Sequence, residues 1–455
     1  MRLRARSSRV TDTNKRPANV AWKDFAPRFG LVWDPKGDGK MTVRASWGIF
    51  YDLPYTIQFY NYPTAPPWGG GITLTQPAGG YSNPWQGYPG GNPFPATLNS
   101  NFVFPTSGSY LTSPLNLHAT YVEQWNLTIQ RQFATNWLAS ASYIGNNAIH
   151  LWSSQALDPA IYIPGSCIAG QYGLTAAGPC STTGNVAARR ILTLQNPTQG
   201  PYYTAISQID DGSTGSYNGL LLSVNHRLTN HFTLLGVYTW AHCIADPISQ
   251  YLGGSYSNPH NRRFDRGNCV GGEDQRHNLQ FSMVAESPKY SRRSLQVLAG
   301  NWKLAATANI RTGAAFTATT GISENLTGIG GDRPSQVLQD PYCHPKTVTC
   351  WVNPAAFAYP ATGTFGDVGV GTLVGPGYFG INLGLFRDFG IRERQKIEIR
   401  AEAFNLENRI NLGSPVATLS SSTFGQINAE PAGNGAVAAP GYGPRVMQFS
   451  IKYIF

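Results

Sequence analysis

Hydrophobic and polar residues alternate along short segments of this chain. The final segment has apolar residues at every second position: Met447, Phe449, Ile451, Tyr453 and Phe455. Polar residues lie between them, at Gln448, Ser450 and Lys452. Successive side chains of a β-strand point to opposite faces, so this pattern predicts a strand with one apolar and one polar face.

The same period of two recurs along the whole chain. Near the C-terminus, for example, Ile397 and Ile399 alternate with the charged residues Glu398 and Arg400. We therefore predict eleven strands, at 25–34, 40–52, 119–132, 136–146, 217–229, 231–243, 275–288, 300–314, 379–388, 394–408 and 444–455.

The connections between these strands alternate in length. Short ones lie at 35–39, 134–135, 229–230, 289–299 and 389–393, and long ones at about 53–118, 147–216, 244–274, 315–378 and 409–443. Short turns on one rim and long external loops on the other are typical of a barrel in the bacterial outer membrane, whose apolar strand faces meet lipid. We therefore predict an all-β fold, an antiparallel transmembrane β-barrel, in the outer membrane of a Gram-negative bacterium.

The number of predicted strands is odd. A complete bacterial barrel made by one chain has an even number of strands. Phe455 should lie in the aromatic girdle at the rim with the short turns, and counting back from it, the first strand also runs toward that rim. We therefore expect the chain to be the C-terminal portion of a larger barrel, and its final strand, through Phe449, Ile451, Tyr453 and Phe455, to serve barrel closure and assembly.

Composition agrees with this architecture. The chain has 50 Gly, 32 Pro, 11 Trp, 23 Tyr and 21 Phe, with only 13% charged residues, which favours many strands joined by turn-rich loops. It has no run of ~18 uncharged apolar residues, so no helical membrane span is predicted.

The net charge of +10 is concentrated near the N-terminus, in basic residues at Arg2, Arg4, Arg6, Arg9, Lys15 and Arg16. We interpret residues 1–24 as a disordered basic tail and 25–455 as barrel; the alternative for the tail is a phosphate-binding arm. The tail lacks the apolar core of a secretion signal. We predict no nucleic-acid partner.

Six cysteines lie at the predicted external rim, in three local pairs: Cys167 with Cys180 and Cys343 with Cys350 each within one long loop, and Cys243 with Cys269 bracketing a third. Disulfides persist outside the cell, so we predict three disulfides, with unpaired thiols as the alternative. A zinc site is not predicted, because Cys-x-x-Cys does not occur and neither His242 nor His344 belongs to a metal motif.

Other candidate motifs carry weak signals for chemistry. Residues 366–371 read Gly-Asp-Val-Gly-Val-Gly, but no strand–loop–helix unit surrounds them, which favours a flexible loop over a nucleotide site. His242, Asp246 and Ser249 could suggest an esterase, but a nucleophile elbow is missing. We predict no catalytic residues, no cofactor and no metal, and therefore not an enzyme.

Two clusters could contact a ligand. The charged face of 394–408 most simply pairs with neighbouring strands and a plug, the alternative being a ladder that guides substrate. An aromatic cluster at 47–60 fits an interfacial belt. Its members Tyr55, Phe59 and Tyr60 could alternatively stack on a carbohydrate or peptide in an external loop.

Several segments, in this order, resemble the Oar-like branch of TonB-dependent outer-membrane receptors. They are Phe-Ala-Pro-Arg-Phe-Gly at 25–30, Trp-Asp-Pro at 33–35, Gly-Asp-Gly-Lys at 37–40, Gly-Ile-Phe-Tyr-Asp at 48–52, Tyr-Asn-Gly-Leu at 217–220, Tyr-Thr-Trp at 238–240, Asp-Gln-Arg-His at 274–277, Arg-Ala-Glu-Ala-Phe-Asn-Leu at 400–406 with Asn408, and the terminal strand.

The resemblance implies a transporter with about twenty-two strands around an N-terminal plug, driven by the TonB complex. The expected partners are outer-membrane lipid, the barrel-assembly machinery, and the plug and TonB complex through an N-terminal part that this sequence lacks. We expect uptake or surface binding of a large nutrient: a glycan, a peptide or a chelate. The alternatives are a passive porin-like channel and a secreted all-β binding module.

Overall fold

Eleven long strands form one sheet in which each strand pairs antiparallel with the next along the chain. They are β1 (Arg28–Trp33), β2 (Met41–Tyr51), β3 (Tyr121–Ala134), β4 (Trp137–Ala156), β5 (Tyr203–Thr229), β6 (Phe232–Ala245), β7 (His277–Glu286), β8 (Trp302–Arg311), β9 (Tyr378–Arg392), β10 (Gln395–Phe404) and β11 (Val446–Ile454). The computed structural model describes residues 24–52, 78–88, 91–92, 108–114, 116–229, 231–246, 256–271, 273–392, 395–428 and 443–455. Each strand overlaps one of the eleven predicted segments, so the predicted all-β, antiparallel fold is confirmed.

Shorter elements occupy the connections. Two-residue strands are Ser166–Cys167, Gly178–Pro179, Gly267–Asn268, Ala315–Phe316, Ser335–Gln336, Phe357–Ala358 and Leu373–Val374, and Gly108–Thr112 pairs in parallel with β5. Helices are Ile191–Gln195 and Arg293–Ala299, with 3-10 turns at Gln171–Gly173, Ala187–Arg189, Gly200–Tyr202, Arg262–Asp265 and Pro354–Ala356. Among the described residues, no helix has the length and apolar character needed to cross a membrane.

The register of the sheet separates an apolar face from a polar face. Phe449 of β11 lies opposite Ala401 of β10, which lies opposite Leu385 of β9, and that residue lies opposite Leu304 of β8. Every second residue along each strand belongs to this apolar face because the side chains alternate.

The opposite face is joined by polar contacts between neighbouring strands. The Thr128 hydroxyl donates to the Ser142 hydroxyl at 2.8 Å, and the hydroxyl oxygens of Ser140 and Ser223 are 2.6 Å apart. One face therefore suits an apolar surrounding, whereas the other suits water.

The two ends of the sheet differ, as the loop lengths predict. We call the end with the connections 34–40, 135–136, 230–231, 287–301 and 393–394 the turn rim, and the opposite end the loop rim. Aromatic side chains of the apolar face lie near both. Trp33, Trp137, Trp302, Phe389 and Tyr453 lie toward the turn rim, and Trp47, Trp125, Tyr238, Trp240 and Phe379 toward the loop rim. Two such girdles bound the apolar band of a membrane barrel.

The first connection of the turn rim is a tight, locally bonded turn. Asp34 accepts hydrogen bonds from the backbone N–H groups of Lys36, Gly37 and Gly39 at 3.2, 3.0 and 2.8 Å. These bonds, led by that from Gly39, hold the pKa of Asp34 below its ordinary value against a smaller opposing effect of desolvation. Gly37 and Gly39 have φ of 66° and 69°, a conformation that a side chain would disfavour.

Two connections differ from the expectation. The ladder between β4 and β5 continues to the pair Ala156 and Ser207, and β5 itself begins at Tyr203, so the loop predicted at 147–216 shortens to 157–202. The added part of β5 is rich in Ser, Thr, Asp and Gly, and a strand that pairs in water shows no apolar alternation from which it could be predicted. At the turn rim, the connection predicted at 289–299 contains the short helix Arg293–Ala299.

Candidate functional site

Four connections at the loop rim join into one layer, which we call the external cap: residues 157–202, 256–276, 312–377 and 405–428. Backbone hydrogen bonds cross between the connections. The N–H of Ala160 donates to the carbonyl of Thr327 at 2.9 Å, and the N–H of Trp351 donates to the carbonyl of Gly425 at 2.9 Å. The long loops are therefore mutually supporting and do not project separately from the sheet.

The external cap has its own apolar core. Its buried members are Ala318, Val352, Ala356, Phe357, Val368, Leu373 and Phe424. The rings of Phe357 and Phe424 meet edge to face with centroids 5.6 Å apart. Because these side chains come from two different connections, burying them ties the connections together.

A buried ion pair also joins two connections of the external cap. The guanidinium of Arg333 contacts the carboxylate of Asp265, and both side chains are less than a tenth exposed. Arg333 also donates from Nε to the carbonyl of Val368 at 2.7 Å and from Nη2 to the carbonyl of Phe264 at 2.7 Å. A buried charge needs such partners, so each group depends on the other.

Arg189 is fully buried and is held by oxygen acceptors. Its Nε donates to Oδ1 of Asn185 at 2.9 Å, and its Nη2 donates to the carbonyls of Thr182 and Leu326, each at 3.0 Å. Burial lowers the pKa of this guanidinium. The side chain crosses from the connection 157–202 to the connection 312–377 and fixes their separation.

The external cap carries three disulfides: Cys167–Cys180, Cys243–Cys269 and Cys343–Cys350, with Cα–Cα distances of 4.9, 5.4 and 5.8 Å. These are the pairs that the sequence analysis proposed, and the described chain holds no free cysteine. Each closes a local ring within or at the base of one connection.

Polar groups at the base of the external cap form hydrogen bonds and an ion pair with the extended part of β5. The hydroxyl of Tyr256 donates to Oδ2 of Asp210 at 2.7 Å and lies 2.7 Å from the hydroxyl of Ser213, while Arg262 pairs with Asp210 at 2.7 Å. Burial, strengthened by the adjacent carboxylate, raises the pKa of Tyr256 to about 12.

The charged face of β10 pairs with its neighbours. Nζ of Lys396 lies 2.8 Å from Oδ2 of Asp388 on β9, and Nη2 of Arg400 lies 2.5 Å from Oε1 of Glu398. Glu398 also lies opposite Lys452 of β11. These contacts agree with the simpler interpretation of this face, in which the charges pair within the wall.

The predicted assembly residues Phe449, Ile451 and Tyr453 lie on the apolar face of β11 and are more than half exposed, and Phe455 follows the strand. Tyr55, Phe59 and Tyr60, the possible ligand contacts, lie outside the described residues. Of their predicted cluster, Trp47 stacks on Phe29 with centroids 6.0 Å apart, Tyr51 meets Tyr121 at 5.6 Å, and Phe50 lies under Arg28 at 4.5 Å.

The weak motifs acquire structural partners. Nε2 of His242 lies 2.9 Å from Oδ1 of Asn268, and Asp246 accepts hydrogen bonds from Thr214 and Arg266; Ser249 lies outside the described residues.

The interpretation of 366–371 as a flexible loop is wrong, because Val368 is buried in the cap core. Its glycines allow close approach of backbones rather than mobility.

Comparison with known proteins defines the class. A family model, the outer membrane beta barrel domain, matches residues 5–448. The chain therefore belongs to the outer membrane β-barrel domain family, and it is a protein of the outer membrane of a Gram-negative bacterium. The apolar face of the sheet is the one that suits contact with lipid. No curated protein sequence matches the chain.

Three solved structures show a partial similarity to the chain. The outer membrane transporter YddB from Escherichia coli has 8% identity and a TM-score of 0.46, with 94% of this chain and 40% of that chain covered. The FrpB iron transporter from Neisseria meningitidis (F3-3 variant) has 10% identity and a TM-score of 0.40, covering 94% and 39%. A single-site mutant of the ferric enterobactin receptor PfeA from Pseudomonas aeruginosa has 13% identity and a TM-score of 0.39, covering 94% and 39%. The chain thus spans about two fifths of the length of these proteins.

Proposed function

We propose that this chain forms the wall and the external ligand-binding layer of a TonB-dependent receptor. The receptor takes up, or binds at the cell surface, a nutrient too large for ordinary porins, namely a glycan, a peptide or a chelate. The observation that carries this proposal is the external cap, in which four connections are joined into one layer: two of them share an apolar core, two share a buried ion pair, and three disulfides close local rings. A preorganised surface of this kind suits selective binding, because less ordering is needed when a ligand docks.

We propose further that residues 25–455 are the C-terminal portion of the barrel, preceded by the basic tail 1–24. Strand direction supports this: β1 and β11 both run from the loop rim to the turn rim. Antiparallel closure of the wall between them needs an odd number of further strands. About eleven more strands, a plug and the segment that contacts the TonB complex would then lie in an N-terminal part, and the barrel-assembly machinery would insert the whole.

The size of the native protein tests whether this chain is part of a longer barrel. An antibody raised against the external cap should detect, in outer-membrane fractions, a polypeptide roughly twice the 49.4 kDa of this chain, since about twenty-two strands and a plug are proposed. Detection of a membrane-inserted protein of 49.4 kDa with no larger form would contradict the proposal.

Growth on a panel of nutrients tests transport. A deletion strain should lose growth on one glycan, peptide or chelate at low concentration, and a strain without TonB should lose growth on the same compound. Complementation with the native gene should restore growth, whereas complementation in the TonB-deficient background should not. Uptake that survives loss of TonB, together with open conductance in planar bilayers, would instead favour the passive channel.

The need for detergent distinguishes a membrane barrel from the third alternative, a secreted binding module. The apolar face of the sheet exposes residues such as Phe449 and Ile451, with 71% and 76% of their surface accessible. A membrane wall covers this face with lipid, so the native protein should require detergent for extraction. Recovery of folded protein from culture medium without detergent would favour a secreted binding module.

A further inference from the structure

Two histidines and one aspartate meet beside the external cap. His118 precedes β3, His150 lies on the extension of β4, and Asp211 lies on the facing extension of β5. One nitrogen of each imidazole and one carboxylate oxygen all lie within 4.8 Å of one another, the one such group in the described part of the chain. Nδ1 of His118 is 2.7 Å from Oδ2 of Asp211, and the two imidazole rings stack with centroids 4.4 Å apart.

The backbone of β4 is distorted where His150 enters the group. Ala148 lies opposite Gly215 and Leu151 lies opposite Ser213, so β4 has one more residue than β5 across this interval. His150 adopts φ of 57°, which is uncommon for a residue other than glycine. Bulges of this kind re-aim a side chain and are enriched next to functional sites.

Neighbouring hydrogen bonds fix the ligand-bearing segments. The indole N–H of Trp152 donates to the carbonyl of His118 at 2.9 Å, and the Thr120 hydroxyl donates to the carbonyl of His150 at 2.6 Å. The backbone N–H of His118 donates to Oδ2 of Asp211 at 2.7 Å. Metal ligands in proteins depend on such outer contacts for their orientation.

We propose that His118, His150 and Asp211 bind one divalent transition-metal ion, with Zn²⁺ as the ion that fits best. Two imidazole nitrogens and one carboxylate oxygen are a common zinc donor set, whereas Ca²⁺ and Mg²⁺ prefer oxygen donors alone. Ligands of a tetrahedral site with bonds of about 2.0–2.1 Å lie about 3.3 Å apart, so the side chains must converge on binding. His118 can make this movement because 65% of its side chain is exposed.

The bound ion would connect the segment before β3 to the extended parts of β4 and β5 at the loop rim. This inference does not depend on the proposed receptor function, since it rests only on the three side chains and their supports. Through such a site, the stability of the segments that support the external cap would depend on the concentration of Zn²⁺ outside the cell.

Metal titration of the native, full-length protein tests the proposal. The protein should carry an affinity tag without histidine, be purified in detergent and be stripped with EDTA. Isothermal titration with Zn²⁺ should give one site per chain, and the electron paramagnetic resonance spectrum of the Cu²⁺ form should report two coordinated nitrogens. His150→Gln and Asp211→Asn should each weaken Zn²⁺ binding at least tenfold, and His150→Gln should leave one coordinated nitrogen.

His344→Gln is the matched control, because His344 lies 2.6 Å from Asp340 in an exposed histidine–aspartate pair outside this three-residue group. Its Zn²⁺ affinity should equal that of the native protein. His118→Gln, at the most exposed of the three positions, provides a second loss variant if His150→Gln fails to assemble. Absence of stoichiometric binding, unchanged affinity in assembled ligand variants, or an equal loss in His344→Gln would overturn the proposal.

Discussion

The final strand offers a direct test of the lipid face. Ile451 lies on the apolar face of β11, opposite Ile399 of β10, and 76% of its surface is accessible. In the membrane this surface meets acyl chains. We expect Ile451→Lys to destabilise the barrel, because the substitution places a charge against lipid.

The position of Ile451 sets the magnitude. It lies four residues before Phe455, which corresponds to about 13 Å along a strand that rises ~3.4 Å per residue. A strand tilt of about 40° converts this to a depth of roughly 10 Å, close to the middle of an apolar band about 25 Å tall. Lysine near the midplane costs ~2–4 kcal/mol, whereas Tyr453→Lys, nearer the rim, should cost only ~0–1 kcal/mol.

Folding into lipid vesicles measures this gradient. The full-length protein and its variants are refolded in urea titrations, and the heat-modifiable, protease-resistant fraction is followed on gels. Ser450→Asn is the control, because Ser450 lies opposite Arg400 on the polar face. It should match the native protein within about 0.5 kcal/mol, as is usual for a surface substitution that breaks no special feature.

The pattern across the three variants decides the question. If Ile451→Lys is as stable as the native protein, the face that carries Ile451 does not meet lipid. If Ser450→Asn loses as much stability as Ile451→Lys, the two faces do not differ in the way that a lipid face and a water face require. Either result would overturn the assignment of the wall.

Four further outcomes are expected in the external cap. Non-reducing peptide mapping should recover the three cysteine pairs as linked peptides, and each bond should contribute ~2–4 kcal/mol; six alkylatable thiols in the assembled protein would contradict this. Arg333→Met should cost ~3–5 kcal/mol of cap stability in near-ultraviolet circular dichroism melts by leaving the buried carboxylate of Asp265 without its cation, and adding Asp265→Asn, which removes the charge and can still bond Ser257, should recover part of the loss. Because the folded state favours the neutral phenol of Tyr256, its stabilising contribution is full below its ordinary pKa of 10 and declines as pH rises from there toward about 12, so Tyr256→Phe should reduce the alkaline loss of melting temperature. Gly371→Ala should make the external cap more sensitive to protease, because Gly371 has φ of 65° and an added Cβ would lie 2.4 Å from the carbonyl oxygen of Asn268, whereas Gly330→Ala, with open space around it, should have no effect.

The sequence predicted the wall well because lipid imposes one rule on every strand. A lipid-facing residue must be apolar and its neighbour faces water, so the period of two is written into each segment. The disulfides could be predicted for a related reason: their partners are only 13, 26 and 7 residues apart, and each pair lies within or at the base of one connection. Both features are local, so a single segment contains the whole signal.

The external cap was not predicted because its contacts join distant segments. Arg333 and Asp265 are 68 residues apart. In the sequence, neither can be distinguished from a charged residue of a solvent-exposed loop. The group formed by His118, His150 and Asp211 is similar: the residues are separated by 32 and 61 positions and follow no metal motif. The one local feature of this group is the bulge at His150, and a bulge produces no periodic pattern in the sequence from which it could be predicted.

Glycine-rich composition misled the interpretation of one cap segment for a physical reason. Glycine widens the range of backbone conformations that a chain can adopt, which favours mobility only where nothing else restricts the chain. At Gly366 an added Cβ would lie 2.1 Å from the carbonyl oxygen of Arg333, so the absent side chain is what lets two backbones meet. The carbonyl of the nearby Val368 then accepts the buried Arg333 guanidinium. The glycines that suggest a flexible loop in the sequence therefore permit the close packing that keeps the external cap in one shape.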